Sequence, residues 1–285
     1  MTRLVSPSSL EAACQALAQP GARALAGGTD LMLELRRAQL RGEEPPALLV
    51  DLTRVAELGR VEPQAREPFL GAGVTFRRLE DEPALVPGLP LLGRAAATVG
   101  SRQVRTTATL GGNAANASPA ADGVSALVAL EARAHLLSLR GRRELPLAGL
   151  ITGPYQTALA PGELIAGFSL RPPAGRTGCC FLKVGRRQAV SVARLNLAVV
   201  LDAELADPRL VLGACFPTPH RLGAVEELLR GGRPGPELWR EAGQAAAEVF
   251  RRLSGGRASA AYKLPAIARC TARALAAAWA ELEER

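Results

Sequence analysis

The sequence predicts an α+β fold in three parts, and three observations carry that prediction. Residues 21 to 54 run strand, glycine turn, helix and strand, the pattern of a small α/β unit. From 55 to 173, short strands alternate with turns around two helical stretches. Beyond Pro172, Pro173 and Gly175, three apolar runs follow one another with no helical pattern between them, as in an antiparallel meander. The rest of the chain, to residue 285, reads as helix. The expected parts are therefore 1–54, 55–173 and 174–285.

Taken in order, "SPSSLEAACQALAQ" places serines before apolar residues at Leu10, Cys14 and Leu17, so a capped helix is expected, ended by Pro20-Gly21. "ARALAGGTD" reads as a short buried strand running into a glycine turn, "LMLELRRAQL" as a helix and "ALLVDLT" as a second strand. "RVEPQAREPFLGAGVTFRRLE" has strand and turn character. "LPLLGRAAATVGS" and "GVSALVALEA" are helical, with a loop between them. "AHLLSLR", "RRELPL" and "ELIAGFSLR" are strands, and "CCFLKVG", "RLNLAVVLDAEL" and "PRLVLGACF" form the meander. "GAVEELLRG" opens the final helices.

Composition excludes several functions. Nearly half the residues are apolar, which argues for a globular chain. No run of about 18 apolar residues exists to span a membrane. The first residues lack a basic region followed by an apolar one, so a cytoplasmic protein is expected. The net charge of +8 comes almost wholly from arginine, since Lys183 and Lys263 are the only lysines. These arginines are interleaved with acids and form no stripe with aromatic residues, so no nucleic-acid partner is expected. Cys14, Cys179, Cys180, Cys215 and Cys270 have no CxxC spacing, and His135 and His220 are far apart. The reading is buried thiols in a reducing compartment and no metal site.

Two glycine loops carry the functional signal. In "LAGGTDLMLEL", a strand gives way to Gly27 and Gly28, then Thr29 and Asp30 precede a helix. Glycines permit close backbone approach, and free amides at a helix start cradle an anion. Asp30 could instead cap the helix, and the loop could be an ordinary tight turn. In "TLGGNAANASPAAD", residues 109 to 122, lie two of the chain's three asparagines. Thr109, Gly111, Gly112 and Asn113 offer a hydroxyl, two backbone amides and a side-chain amide. Ser118-Pro119 then reads as a helix start, with Asp122 in the first turn. Neither loop is a GxxxxGK[ST] or GxGxxG fingerprint. "GAGVTF" at 71 to 76 lacks the third glycine and no helix is expected after it. Two such loops suit a long ligand with several polar groups, such as a dinucleotide.

"AGGTDL", "TLGGNAANASPAAD", "GELI" and "FLKVGRR…VSVARLNLAV" resemble, in order and spacing, the FAD-binding medium subunit of the molybdenum hydroxylases, the xanthine dehydrogenase and carbon monoxide dehydrogenase type. "FPTPHRLGAVEELLRG" extends the resemblance into the last part of the chain. The resemblance implies two subdomains gripping FAD, in the vanillyl-alcohol-oxidase/PCMH-type fold, and a C-terminal domain of a small antiparallel sheet with helices. It implies that Ala24, Leu25, Ala26, Gly27, Gly28, Thr29, Asp30 and Leu31 form the first cofactor loop, around the pyrophosphate. Thr109, Gly111, Gly112, Asn113, Ser118 and Asp122 match the second. Val99 takes a position that can be aromatic in the family, so a stacking role there is lost. Ile165 matches an apolar residue against the flavin, and Lys183 a lysine near the isoalloxazine edge, where a positive charge would raise the flavin potential. Arg186 and Arg187 stay ambiguous, and Asn196 is expected to be structural.

The implied function is electron transfer. A large molybdopterin-binding subunit would oxidise the substrate and a small [2Fe–2S] subunit would relay electrons. FAD on this chain would pass them to a nicotinamide, a quinone or oxygen, within a heterotrimer that could itself dimerise. The cysteines do not cluster, so no iron–sulfur centre is expected on this chain. No catalytic nucleophile or paired acid and base is visible in the sequence. A self-sufficient FAD-dependent oxidoreductase and a scaffold subunit that has lost FAD are the competing readings.

Overall fold

The computed structural model describes residues 2–65, 67–82, 85, 90–187, 190–254 and 259–284. The first part forms a three-stranded parallel sheet. It uses β1 (Arg3–Val5), β2 (Ala22–Leu25) and β3 (Leu48–Asp51), in the order β1-β3-β2. Helix α1 (Leu10–Leu17) starts where Ser9 Oγ accepts the Ala12 amide at 3.2 Å, as the serines predict. β2 is an edge strand and half exposed, not buried as the sequence suggested, while β3 at the centre is buried. Central position, not hydropathy, decides which strand is covered. α2 (Leu31–Leu40) buries none of its residues. It is built of strong helix formers, and Arg23 pairs with its Glu34 at 2.7 Å. β1 is a strand that the sequence reading did not identify.

The second part has an antiparallel sheet ordered β4-β5-β10-β6-β7. Its strands are β4 (Val61–Glu62), β5 (Phe69–Gly71), β6 (Arg133–Ser138), β7 (Gly141–Pro146) and β10 (Leu164–Ser169). Among the described residues, five α-helices lie between β5 and β6: α3 (Phe76–Asp81), α4 (Leu91–Ala97), α5 (Arg102–Thr107), α6 (Leu110–Asn116) and α7 (Asp122–Ala129). Only α4 and α7 were expected, and Leu89, at the expected start of α4, lies outside the described residues. α3, α5 and α6 are one or two turns long. Each begins with a hydroxyl cap, Thr75, Ser101 or Thr109, that accepts the amide three residues on. Such short helices show little apolar period, so caps are their main signature. A helix therefore does follow "GAGVTF". Its glycines serve backbone packing, since a Cβ on Gly71 would stand 2.2 Å from the Leu58 carbonyl oxygen. Helix α8 (Leu147–Leu150) and the hairpin of β8 (Ile151–Gly153) and β9 (Gln156–Thr157) complete the part.

The third part is the expected meander of β11 (Thr177–Val184), β12 (Leu195–Asp202) and β13 (Arg209–Gly213), extended by a strand that the sequence reading did not identify, β14 (His220–Arg221), all paired antiparallel in that order. Helices α9 (Gly223–Leu229), α10 (Pro236–Ser254) and α11 (Ala260–Glu283) follow. Residues 255–258, part of the expected helical stretch, lie outside the described residues.

Every residue of β12 is buried, and the two-residue period of a strand explains how. Leu195, Leu197, Val199 and Leu201 join a core with α9, α10 and α11. Ala198 and Val200, with Val211 and Cys179 of the neighbouring strands, join the core built around α4 and α7. The meander is thus a wall between two cores. Asn196 sits on the face turned toward α7, and β11–β12 register pairs it with Lys183. Arg94 of α4 closes the joint by pairing with Glu281 of α11 through bonds of 2.8 and 3.0 Å.

A candidate flavin site at the junction of two glycine segments

The first glycine loop leaves the end of β2. The amides of Gly27, Gly28, Thr29 and Asp30 donate no hydrogen bond to any described residue. Gly28 takes the left-handed conformation, φ +67°, which glycine enters without a Cβ penalty. Asp30 precedes α2 but makes no side-chain cap bond. Among the described residues its carboxylate accepts only the Thr29 hydroxyl, at 3.3 Å. The result is a row of amide donors at a helix start, suited to an anion. Ala24 is exposed, and Leu25, Ala26 and Leu31 are half-buried beside the loop.

The loop lies directly against the second glycine segment. A Cβ on Gly27 would come within 2.0 Å of the Thr107 carbonyl oxygen, so only glycine allows this approach. Two residues on, Thr109 caps α6 by accepting the Gly112 amide at 3.0 Å. The stretch expected to be an open loop is therefore a helix. Its amides are not free donors, because Leu110 bonds the Val74 carbonyl at 3.0 Å and Gly111 that of Ala72 at 2.8 Å. Gly111 is needed for that packing, as a Cβ there would stand 2.5 Å from Ala72 Cβ. Gly112 is exposed on the outer side of the turn. Asn113 Oδ1 is buried with no hydrogen-bond partner among the described residues.

The helix expected from Ser118-Pro119 begins at Asp122 instead, with Ala121 as its cap residue. Ser118 Oγ accepts the Ala120 amide at 3.3 Å, a local turn that competes with helix. Asp122 is 5% exposed and Lys183 Nζ lies 2.5 Å from its Oδ2. Asn196 Nδ2 donates to its Oδ1 at 2.9 Å, and the Thr98 hydroxyl donates to Oδ2 at 3.3 Å. Ser125 donates to Asn196 Oδ1 at 2.8 Å, and Lys183 also bonds the Thr98 carbonyl at 2.8 Å. Burial pushes the Asp122 carboxyl up, and the Lys183 charge with the hydrogen bonds of Lys183, Asn196 and Thr98 holds it back from rising further. Lys183 is therefore half of a buried ion pair, not the free cation its sequence position suggested.

Val99 follows Thr98 and gives its carbonyl to Arg105 at 3.1 Å. Ile165 is buried in the core on β10, opposite Leu136. Thr98 and Ser125 are polar partners that sequence reasoning did not assign, while Asn196, expected to be structural, is the third. One signal was present: an asparagine inside the unbroken apolar run "RLNLAVV" must be buried and so must find a partner. Among the described residues, no group of three or more histidine, cysteine or acidic side chains is placed to hold a metal, and no helix is long and apolar enough to cross a membrane.

A row of free amides packed against a second glycine segment, both carried by α+β units, defines a site for an extended anionic cofactor. Residues 1–172 match the family described as the FAD binding domain in molybdopterin dehydrogenase, and 181–278 match the CO dehydrogenase flavoprotein C-terminal domain. The chain belongs to this family of FAD-binding oxidoreductase subunits. Among its relatives, the nicotine 6-hydroxylase medium subunit of Paenarthrobacter nicotinovorans is 30% identical over 92% of this chain and 91% of its own length. The carbon monoxide dehydrogenase medium chain of Hydrogenophaga pseudoflava is 31% identical over 96% of both. In solved structures, carbon monoxide dehydrogenase from Hydrogenophaga pseudoflava superposes with a TM-score of 0.87 at 29% identity, covering 98% of each chain. Quinoline 2-oxidoreductase from Pseudomonas putida 86 gives 0.88 at 28% identity, covering 99% of this chain and 98% of that one.

Proposed function

We propose that this chain is the FAD-carrying electron-transfer subunit of a molybdenum hydroxylase, taking electrons from [2Fe–2S] clusters on a small partner subunit. A large molybdopterin-binding subunit would carry the oxidation of substrate, completing a heterotrimer that could dimerise, in the cytoplasm. The external acceptor would be a nicotinamide, a quinone or oxygen. The observation that carries the reading is the contact of Gly27 with Thr107, which brings the free amides of one loop against the capped start of α6.

In this reading the amides of Gly27, Gly28, Thr29 and Asp30 hold the pyrophosphate, assisted by the α2 dipole at about 0.3–1 kcal/mol per charge. Gly112 and Thr109 give the cofactor close access to α6, and Asn113 Oδ1 supplies an acceptor. Asp122 and Lys183 stand near the ring system, with Ser118 four residues before Asp122 and Val99 next to their shared partner Thr98, and Ile165 supports the ring through the core. FAD, when bound, exchanges electrons singly or in pairs, so the protein needs to supply position and electrostatics only. Because Lys183 is paired with Asp122, its effect on a bound flavin is that of a dipole, weaker than a lone cation. The chain's division into 1–54, 55–173 and 174–285 follows the same scheme, two parts gripping FAD and one backing them.

The test is a visible spectrum of the purified chain, with FAD quantified after release. One FAD per chain, reduced by substrate only when both partner subunits are added, is the expected result. A chain that takes up no FAD when it is supplied would refute the site. Reduction by substrate without partners would refute the electron-transfer role.

A further inference from the structure

The turn joining α6 to α7, residues 117–121, is held from outside at two points. The Ala117 carbonyl accepts the Tyr155 amide at 2.9 Å, and the Pro119 carbonyl accepts the Ala214 amide at 2.8 Å. Ala117, Tyr155 and Ala214 all have left-handed backbones, with φ of 48°, 58° and 59°. For non-glycine residues that conformation is strained, and strain persists only where its surroundings enforce it. Three such residues converge here on one five-residue turn, between the glycines of α6 and the buried Asp122.

Lys263 supplies the enforcement at Ala214. Its Nζ donates to the Ala214 carbonyl at 2.7 Å and lies 5.9 Å from the Phe250 ring centre. Lys263 is half-buried in the first turn of α11. A cation there opposes the helix dipole, so the local rule is broken in favour of a tertiary contact. It is also one of only two lysines in a chain that uses arginine almost everywhere else. The other, Lys183, bonds Asp122 at the far end of the same turn.

We infer that Lys263 is a positioning residue of the flavin site: by holding the Ala214 carbonyl it holds the Pro119 carbonyl, and so sets where α6 and Asp122 stand relative to one another. The inference rests on the flavin reading proposed above. It makes the C-terminal helix a part of the cofactor site that it does not touch.

The test uses the full chain stripped of FAD, with FAD titration and amide hydrogen exchange as separate readouts. Lys263→Met should raise the FAD Kd about tenfold, equivalent to about 1.4 kcal/mol. It should also remove exchange protection in residues 117–121 and at Ala214, while α10 keeps its own. Lys263→Arg should restore most of both, and Lys263→Gln, which keeps N–H donors but not the charge, should fall between. Ile267→Ala, a fully buried site in the same helix, should lower the thermal midpoint yet leave Kd within about twofold. Wild-type affinity and protection in Lys263→Met overturn the inference, as does an equal loss of affinity in Ile267→Ala. If the wild-type chain takes up no FAD, the flavin reading fails and this role fails with it. If the wild type binds and Lys263→Met is unchanged, only the positioning role fails.

Discussion

Asp122 and Lys183 are 5% and 12% exposed and 2.5 Å apart, and each keeps further hydrogen bonds. Removing one partner of such a pair strands the other charge, at a cost of about 3–5 kcal/mol, whereas removing both strands no charge and costs less than the two single losses added together. Asp122→Asn leaves the ammonium with the Thr98 carbonyl, and Lys183→Met leaves the carboxylate with Asn196 and the Thr98 hydroxyl. Each should lose about 3 kcal/mol, or about 6–12 °C in melting temperature for a chain of this class. The double variant should lose about 2–3 kcal/mol, giving a coupling of about 3–4 kcal/mol in a double-mutant cycle. The pH dependence has a definite sign. Asp122 already titrates above its ordinary range because of burial, and without Lys183 it rises further. A raised folded-state value means that stability is fully present below the unfolded value and lost as pH rises through the folded one. Lys183→Met should therefore be more stable at pH 5 than at pH 8, and the double variant should show no such slope. Urea denaturation of all four proteins at both pH values reads the cycle. Simple additivity, or a Lys183→Met protein whose stability is flat with pH, would refute the reasoning.

Other substitutions test the rest of the site. Gly27→Ala places a Cβ 2.0 Å from the Thr107 carbonyl oxygen, so the loops must separate. FAD retained through gel filtration should fall at least about tenfold, with a stability loss of about 1–3 kcal/mol. Thr109→Ala removes the α6 cap and should cost about 1 kcal/mol, which Thr109→Ser should recover. Burial pushes the Cys215 thiol up to about 11 and also raises Cys14, Cys180 and Cys270. A thiol reagent at pH 8 should accordingly react slowly with the native chain and rapidly with all five cysteines once it is unfolded. The Arg105 hydrogen bond holds the Glu80 carboxyl below its ordinary range. Its contribution is present above the unfolded value and lost as pH falls through the folded one, so Glu80→Gln should flatten the acid limb of the stability profile.

The sequence by itself determined the elements with strong periodicity and the positions where backbone freedom is needed. The α1 cap, the β11–β13 meander and the long C-terminal helices were all legible because periods of 2.0 and 3.6 recur over enough residues to stand out. The glycine segments announced a ligand site, and four motifs in order pointed to the FAD family that the comparisons then showed. α3, α5 and α6 were not legible, because their six or seven residues are mostly polar or glycine-rich and present a cap and little else, whereas α4 and α9, of seven residues each, are rich in leucine, alanine and valine. Which amides are free was not legible either. Gly111 and Gly112 look as open in sequence as Gly27 and Gly28, but tertiary packing spends the Gly111 amide on Ala72 and the α6 cap spends the Gly112 amide on Thr109. The partner of Lys183 lies 61 residues away, and no local pattern encodes an ion pair across that distance. Whether a buried lysine acts as a free charge or as half of a dipole depends on which strand face meets which helix, and only the assembled wall of β11 and β12 against α7 decides it.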